Sequence, residues 1–149
     1  MSLSAIKAAI PHREPFLLID EIIEQSDSRI VCRKTFTGDE FWYRGHYPDF
    51  PITPGVILCE AAMQAGAVLL SQLVADQGDS VPVATRANNV QFKHMVRPGD
   101  TIELEVELTE RLSTAFFMKA RVTVQGKVAC RFDFACTLTS RQPSMTRRQ

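Results

Sequence analysis

Neither sign of charge dominates this sequence. Lys plus Arg and Asp plus Glu number 17 each, giving a formal net charge of zero at pH 7. No global field therefore draws the chain to nucleic acid or inserts it into an anionic membrane, and an electrostatic partner must be met by a local patch. Cysteine is scarce as well: Cys32, Cys59, Cys130 and Cys136 make no C-x-x-C pair and lie in hydrophobic stretches, the pattern of buried, reduced thiols in a cytoplasmic protein. Cys130 and Cys136, on one expected strand, would stand about 20 Å apart, too far to bridge. A zinc-ligand cluster and a dinucleotide glycine fingerprint are both missing, so neither a metal nor an organic cofactor is expected. The opening MSLSAIKAAIPHREP has no long apolar core and no small-residue cleavage site, which makes it a poor signal peptide. Internal repeats and a second composition zone are absent too. The expectation is one domain over residues 1–139, burying roughly two thirds of the surface its unfolded chain would expose.

What the sequence does have is a long apolar run from Val56 to Ala75. Its length approaches that of a membrane span, but Glu60 and Gln64 interrupt it and it starts behind Pro51 and Pro54. A helix apolar all round, followed by one-sided strands, reads better as the buried centre of a soluble fold. It is expected to begin at Gly55 or Val56 and to end near Asp76-Gln77-Gly78, about 30 Å long. Upstream, Leu3 to Ile10 suits a short helix, and Phe16–Gln25 and Ser28–Phe36 suit strands joined by a turn at Asp27-Ser28. Residues 38–55 carry three glycines and three prolines, too many breakers for regular structure.

Downstream, Val81–Phe92 reads as a strand and Arg97-Pro98-Gly99-Asp100 as a turn. Ile102, Leu104, Val106 and Leu108 then alternate with Thr101, Glu103, Glu105 and Glu107. Phe116 to Val124 and Val128 to Leu138 repeat the period, with Gln125-Gly126 as a hairpin turn. Strict alternation means one dry face and one wet face. Wrapping such a sheet around the apolar helix buries both, giving an α+β fold of about six antiparallel strands and one central helix. Residues 140–149, with three arginines, are expected as a disordered tail.

Within the breaker-rich loop stands His46, and 14 positions later Glu60 is the only charge in the apolar run. An ionisable group among aliphatic neighbours is costly unless something compensates it. The pair asks for a chemical explanation.

Residues 45–64, GHYPDFPITPGVILCEAAMQ, resemble the active-site segment of the hotdog-fold 3-hydroxyacyl-[acyl-carrier-protein] dehydratases. Residues 11–20, PHREPFLLID, and Val90-Gln91-Phe92-Lys93 through Pro98-Gly99-Asp100 resemble that family's opening segment and its PGD turn. The resemblance covers residues 10–139 in order and spacing. It implies a hotdog fold, a homodimer whose active sites are shared between chains, three such dimers in a hexamer, and an acyl carrier protein as the substrate-bearing partner. Residue by residue, His46 matches the catalytic histidine, Glu60 the catalytic acid, and Gly55 the glycine whose backbone N–H faces the thioester carbonyl. Glu60 stands where related dehydratase-isomerases carry Asp, which favours simple dehydration to a trans-2-enoyl thioester in fatty acid or related acyl-chain biosynthesis.

The residue types fit that chemistry in their own right. Dehydration needs a base for the α-proton, donors for an enolate-like oxygen, and an acid for the departing hydroxide. Neutral His46 can accept the proton. The N–H groups of Gly55 and Val56 at a helix N-terminus can receive the oxyanion. Glu60, desolvated in the second turn, can act as the acid, and Gln64, one turn on, can orient it. His12 matches the PHR segment but suggests no chemical role.

Phe41, Trp42, Tyr43, Tyr47 and Phe50 crowd the loop; as packing they would fill a subunit interface, as function they would wall an acyl tunnel. Asp49-Phe50, Thr53 and Phe41-Trp42-Tyr43 depart from the family's commoner Gly-Arg, Met and Pro-Phe-Phe. Arg86, Lys93, His94 and Arg97 form a basic stretch, either a solvated face or a docking site for an acidic carrier protein. The rivals to dehydration are a hotdog thioesterase, whose helix carboxylate would activate water, and a silent acyl-binding subunit of a hetero-oligomer.

Overall fold

A single long helix lies across a six-stranded sheet in the computed structural model, which describes residues 2–74 and 78–140. In chain order the elements are α1 (Leu3–Ala9), β1 (Glu21–Gln25), β2 (Arg29–Thr35), a 3-10 turn (Phe41–Arg44), α2 (Gly55–Leu73), β3 (Ser80–Phe92), β4 (Thr101–Leu112), β5 (Ala115–Val124) and β6 (Lys127–Ser140). The sheet is antiparallel throughout, with spatial order β1-β2-β4-β5-β6-β3. The helix thus separates β2 from β3 in sequence, and β3 is carried to the far edge, where among the described residues it pairs with β6 alone.

Period-two patterning dictates which face meets the helix. Ile102, Leu104 and Val106 of β4 and Phe116, Met118 and Val122 of β5 are buried, and Ala61, Ala62, Ala65, Leu69 and Leu70 of α2 are buried with them in one core. Burying each large side chain is worth about 1.5–3 kcal/mol. The intervening residues carry a charge ladder on the other face: Arg29 bridges Glu24 at 2.8 Å and Glu105 at 2.9 Å, and Arg33 bridges Glu21 at 3.0 Å and Glu103 at 3.3 Å. Such exposed pairs fix register more than they stabilise. Gly66 sets the closeness of helix to sheet, because a Cβ there would sit 2.8 Å from Cζ of Phe134.

By length and composition α2 could cross a bilayer; here its inward side chains are packed under the sheet as the core helix of the fold. The expected helix end at Asp76-Gln77 lies outside the described residues. So does the expected tail, except Ser140, which closes β6.

Three expectations are corrected. The strand expected over 16–25 begins only at Glu21. Leu17, Leu18 and Ile19 are buried, but the Leu18 N–H donates to the Gln64 side chain at 2.8 Å, so this segment satisfies its backbone on α2. The loop over 38–55 does contain regular structure, the 3-10 turn Phe41–Arg44. In β6 the alternation breaks at a bulge: Val122 faces Cys130 and Thr123 faces Val128, leaving Ala129 as the extra residue. Ala129 and Cys130 are both buried, and the freed Ala129 carbonyl accepts the Lys93 N–H at 2.8 Å. All four cysteines are free, with Cys59 Sγ 3.9 Å from Cys130 Sγ.

Candidate active site

The loop that carries His46 is built from both ends. At its start the Glu40 carboxylate accepts the N–H groups of Thr37 at 3.0 Å and Gly38 at 2.9 Å. Partial burial pushes the Glu40 carboxyl up, but these backbone donors outweigh it and hold the group below its usual range. The 3-10 turn then drives Trp42 and Tyr43 into the core, each nearly perpendicular to Phe36 at centroid distances of 6.0 and 6.5 Å. At its far end, Thr53 is buried, its hydroxyl 2.6 Å from the Tyr43 hydroxyl and its N–H donating to Val96 O at 2.7 Å. Residues 46–52 hang between these two anchors.

In that span the His46 ring is oriented by the chain itself. Its Nδ1 lies 3.0 Å from the Ile52 carbonyl oxygen. A carbonyl can only accept, so Nδ1 carries the hydrogen, and in the neutral ring Nε2 is left as a bare lone pair. His46 lines a cleft of about 1040 Å³ together with Tyr47, Gly55, Val56, Phe92, Lys93, His94 and Arg97. The N-terminus of α2 opens on this cleft. Helical geometry leaves the N–H groups of Gly55 and Val56 without intrahelical acceptors, while the Ile57 N–H is already taken by Pro54 O at 2.9 Å. Phe92 approaches Gly55 closely: a Cβ there would fall 2.5 Å from the Phe92 Cε1, and the ring would have to shift.

Glu60 opens elsewhere. It lines a second cavity of about 610 Å³ with His12, Met63, Gln64, Ala67 and residues of β3. Its side chain is 31% exposed, so in a single chain it is not sealed from water. Gln64, 1% exposed, holds it. The Gln64 Oε1 accepts from Leu18 N–H at 2.8 Å, and Nε2 donates to Phe16 O at 2.8 Å and to Glu60 Oε2 at 3.0 Å. His12 Nε2 lies 3.9 Å from the same Oε2. His46 and Glu60 therefore line different cavities of one chain.

The remaining expected site residues scatter. Tyr47 lines the His46 cleft, 62% exposed and with φ of 53°. Trp42 and Tyr43, expected as tunnel wall, are core residues of this chain, because the 3-10 turn points them at Phe36. Phe50 lies outside the cleft lining, with the Arg97 guanidinium 4.8 Å above its ring. Lys93 and Arg97 rim the cleft; Arg86 does not, and stands instead near Lys119 and Asp133 on the outer face. Sequence reasoning did not pick out Phe92, nor His12 as a neighbour of Glu60; for His12 the PHR segment was the available signal. Among the described residues no group of three or more His, Cys, Asp and Glu side chains is arranged to hold a metal ion.

Comparison with known proteins gives the family and the fold. A family model for FabA-like domains matches residues 10–133. The 3-hydroxyacyl-[acyl-carrier-protein] dehydratase FabZ of Clostridium perfringens is 42% identical over 130 residues, covering 87% of this chain and 93% of that protein. Among solved structures, the dehydratase heterocomplex ApeI:P from Xenorhabdus doucetiae superposes with a TM-score of 0.76 at 17% identity, covering 91% of each chain. A hypothetical thioesterase from Streptococcus pneumoniae, solved with coenzyme A, gives a TM-score of 0.62 at 18% identity, covering 83% and 88%. These two likenesses establish the hotdog architecture; because a dehydratase and a thioesterase share it, the fold alone does not choose the reaction.

Proposed function

The chain belongs to the family of FabA-like domains, and we propose that it dehydrates 3-hydroxyacyl-[acyl-carrier-protein] thioesters at an active site completed by a second copy of itself. Its relatives are named 3-hydroxyacyl-[acyl-carrier-protein] dehydratase FabZ, and the chain is a hydro-lyase of fatty acid biosynthesis. The observation that carries the residue assignment is the His46 tautomer: Nδ1–H on the Ile52 carbonyl leaves Nε2 as a base beside the free N–H groups of α2. His46 Nε2 takes the α-proton, the Gly55 and Val56 N–H groups hold the thioester oxygen as charge builds on it, and Glu60, acting as the acid, gives a proton to the β-hydroxyl. One C–H and one C–O bond break, a carbon–carbon double bond forms, and water leaves. Base, oxyanion donors and acid come from the chain itself, so the reaction requires no metal or organic cofactor.

Two observations support the second copy. His46 and Glu60 line separate cavities in one chain. Among the described residues no strand lies beside the outer edge of β3, although the strand is 13 residues long and exposes Val83, Val90 and Phe92. A long exposed strand edge invites pairing, and antiparallel pairing of two β3 edges would continue the sheet across a two-fold axis. We read the assembly as a homodimer, further organised as a trimer of dimers. The cationic groups of Lys93 and Arg97 at the cleft rim suit the phosphate of a pantetheine arm and an acidic carrier protein. Unpaired thiols suit a reducing compartment, and we assign the enzyme to the cytoplasm.

Incubation of the purified chain with 3-hydroxyacyl and with saturated acyl carrier thioesters tests the reaction. The expected product is the trans-2-enoyl thioester from the first and nothing from the second. Release of free thiol without enoyl formation would make the protein a thioesterase instead.

A further inference from the structure

His12 has no part in the chemistry above, yet its Nε2 and the Gln64 Nε2 meet the Glu60 carboxyl on one and the same oxygen, Oε2. The Gln64 amide cannot be turned round. Its Oε1 accepts a backbone N–H from Leu18, which can only donate, so its Nε2 must be the end that faces Phe16 O and Glu60 Oε2. Oε2 is therefore an acceptor by construction.

The His12 tautomer follows from its surroundings. Its Nδ1 is buried and has no hydrogen-bond partner among the described residues. A hydrogen on Nδ1 would be a buried, unpaired N–H, and would also set the Nε2 lone pair against a carboxyl oxygen. A hydrogen on Nε2 avoids both and points at Oε2 across 3.9 Å, about 1 Å from hydrogen-bond length. The backbone that presents the ring is clamped to the end of α1, because Arg13 Nη1 donates to Ile10 O at 2.8 Å and to His12 O at 2.7 Å.

We propose that His12 is a positioning residue for the dehydration step: with Gln64 it directs an N–H at Glu60 Oε2, so that the transferable proton of the acid is held on Oε1. The inference rests on the reading of Glu60 as the acid. A carboxyl free to carry its proton on either oxygen would offer the substrate hydroxyl the wrong one for part of the time; the Gln64 N–H bound to Oε2 at 3.0 Å, with a His12 N–H aimed at the same oxygen from 3.9 Å, works against that. His12 and His46 thus hold opposite tautomers, Nε2–H beside the acid and Nδ1–H in the base.

Long-range proton–nitrogen correlation spectra of the uniformly 15N-labelled full chain above the histidine titration range read the tautomers directly, with His12 assigned by the signal missing from His12→Gln. The expected result is Nε2–H for His12; Nδ1–H overturns the proposal. In steady-state dehydration His12→Leu should lower kcat about tenfold, the scale of a misplaced catalytic group, with KM held within about twofold. His12→Gln places an amide N–H at similar reach and should restore kcat to within about threefold. An unchanged kcat in His12→Leu, or His12→Gln no better than His12→Leu, overturns it. If His12→Leu fails to fold, the tautomer and the His12→Gln rate decide. Glu60→Gln separates the two readings. Loss of activity there with His12→Leu unaffected removes only the positioning role, whereas wild-type activity in Glu60→Gln removes the acid assignment and the inference with it.

Discussion

Replacing Gln64 by Leu cuts three hydrogen bonds at one buried point and should separate its two duties. The side chain is 1% exposed, and it satisfies Leu18 N–H and Phe16 O as well as Glu60 Oε2. Leucine leaves the buried Leu18 N–H without a partner, at about 1–3 kcal/mol, and deprives the part-buried Phe16 carbonyl of its donor at a cost toward the low end of that range. The extra apolar burial of leucine offsets part of this, leaving a net loss of about 1–3 kcal/mol. At about 3 °C per kcal/mol for a chain of this size, Tm should fall by about 3–9 °C. Because an oligomer's melting point depends on concentration, both proteins are melted at one fixed concentration. Well below the lowered Tm, kcat should still be down about tenfold, since Glu60 has lost the donor that holds it. A stability loss under about 1 kcal/mol would mean that the segment 16–18 finds other partners, contradicting the packing described for it. A full stability loss with wild-type kcat would show that Gln64 supports the fold but does not position the acid.

Gly66→Ala tests the fit of helix to sheet. Alanine gains about 1 kcal/mol of helix propensity, yet its Cβ would meet Phe134 Cζ at 2.8 Å and Met118 Sδ at 3.2 Å in a full core. The clash should win, with a net loss of about 1–3 kcal/mol in a denaturant titration; a gain in stability would refute it. Glu40→Gln tests the anchor of the His46 loop through pH. The folded Glu40 carboxyl is held below its usual range. Its contribution is therefore present above the unfolded carboxylate value and is lost as pH falls through the lower folded value. Melts should show the variant less stable than wild type at pH 7, with the gap closing in acid; a gap that widens in acid contradicts the assignment.

The parts of the fold that were legible in the sequence are those where one local rule governs. In Ile102 to Val106 and Phe116 to Val124, alternation alone decides burial, and the structure buries those faces. The all-apolar stretch became α2 because its residues must leave water. Where tertiary contacts supply the backbone's hydrogen bonds, pattern misleads. Leu17 to Ile19 look like strand but run beside α2 because Gln64, 46 residues away from Leu18, completes their bonding. The bulge at Ala129 leaves no trace in a period-two reading. The same division holds at the site. The loop and helix positions of His46 and Glu60 could be read from prolines, glycines and spacing; the roles proposed for them came from the resemblance of the segment that carries them. Whether Trp42 and Tyr43 wall a tunnel or fill a core depends on which way a 3-10 turn faces, and aromatic composition does not encode that. The meeting of His12 with Glu60 depends on how the chain after α1 crosses α2, which no spacing in the sequence expresses.

The central claim, that catalysis joins His46 of one copy to Glu60 of another, is tested most directly by mixing two dead variants. His46→Ala and Glu60→Gln are each purified, shown to be folded and inactive, and then allowed to exchange subunits at equal concentration. Random pairing makes about half of the dimers mixed, and each mixed dimer contains one site with both groups intact, so about a quarter of wild-type dehydratase activity should return. Recovery near that fraction bears out the shared site. No recovery, with subunit exchange verified by mass, would place His46 and Glu60 of the same chain in one site and contradict the account.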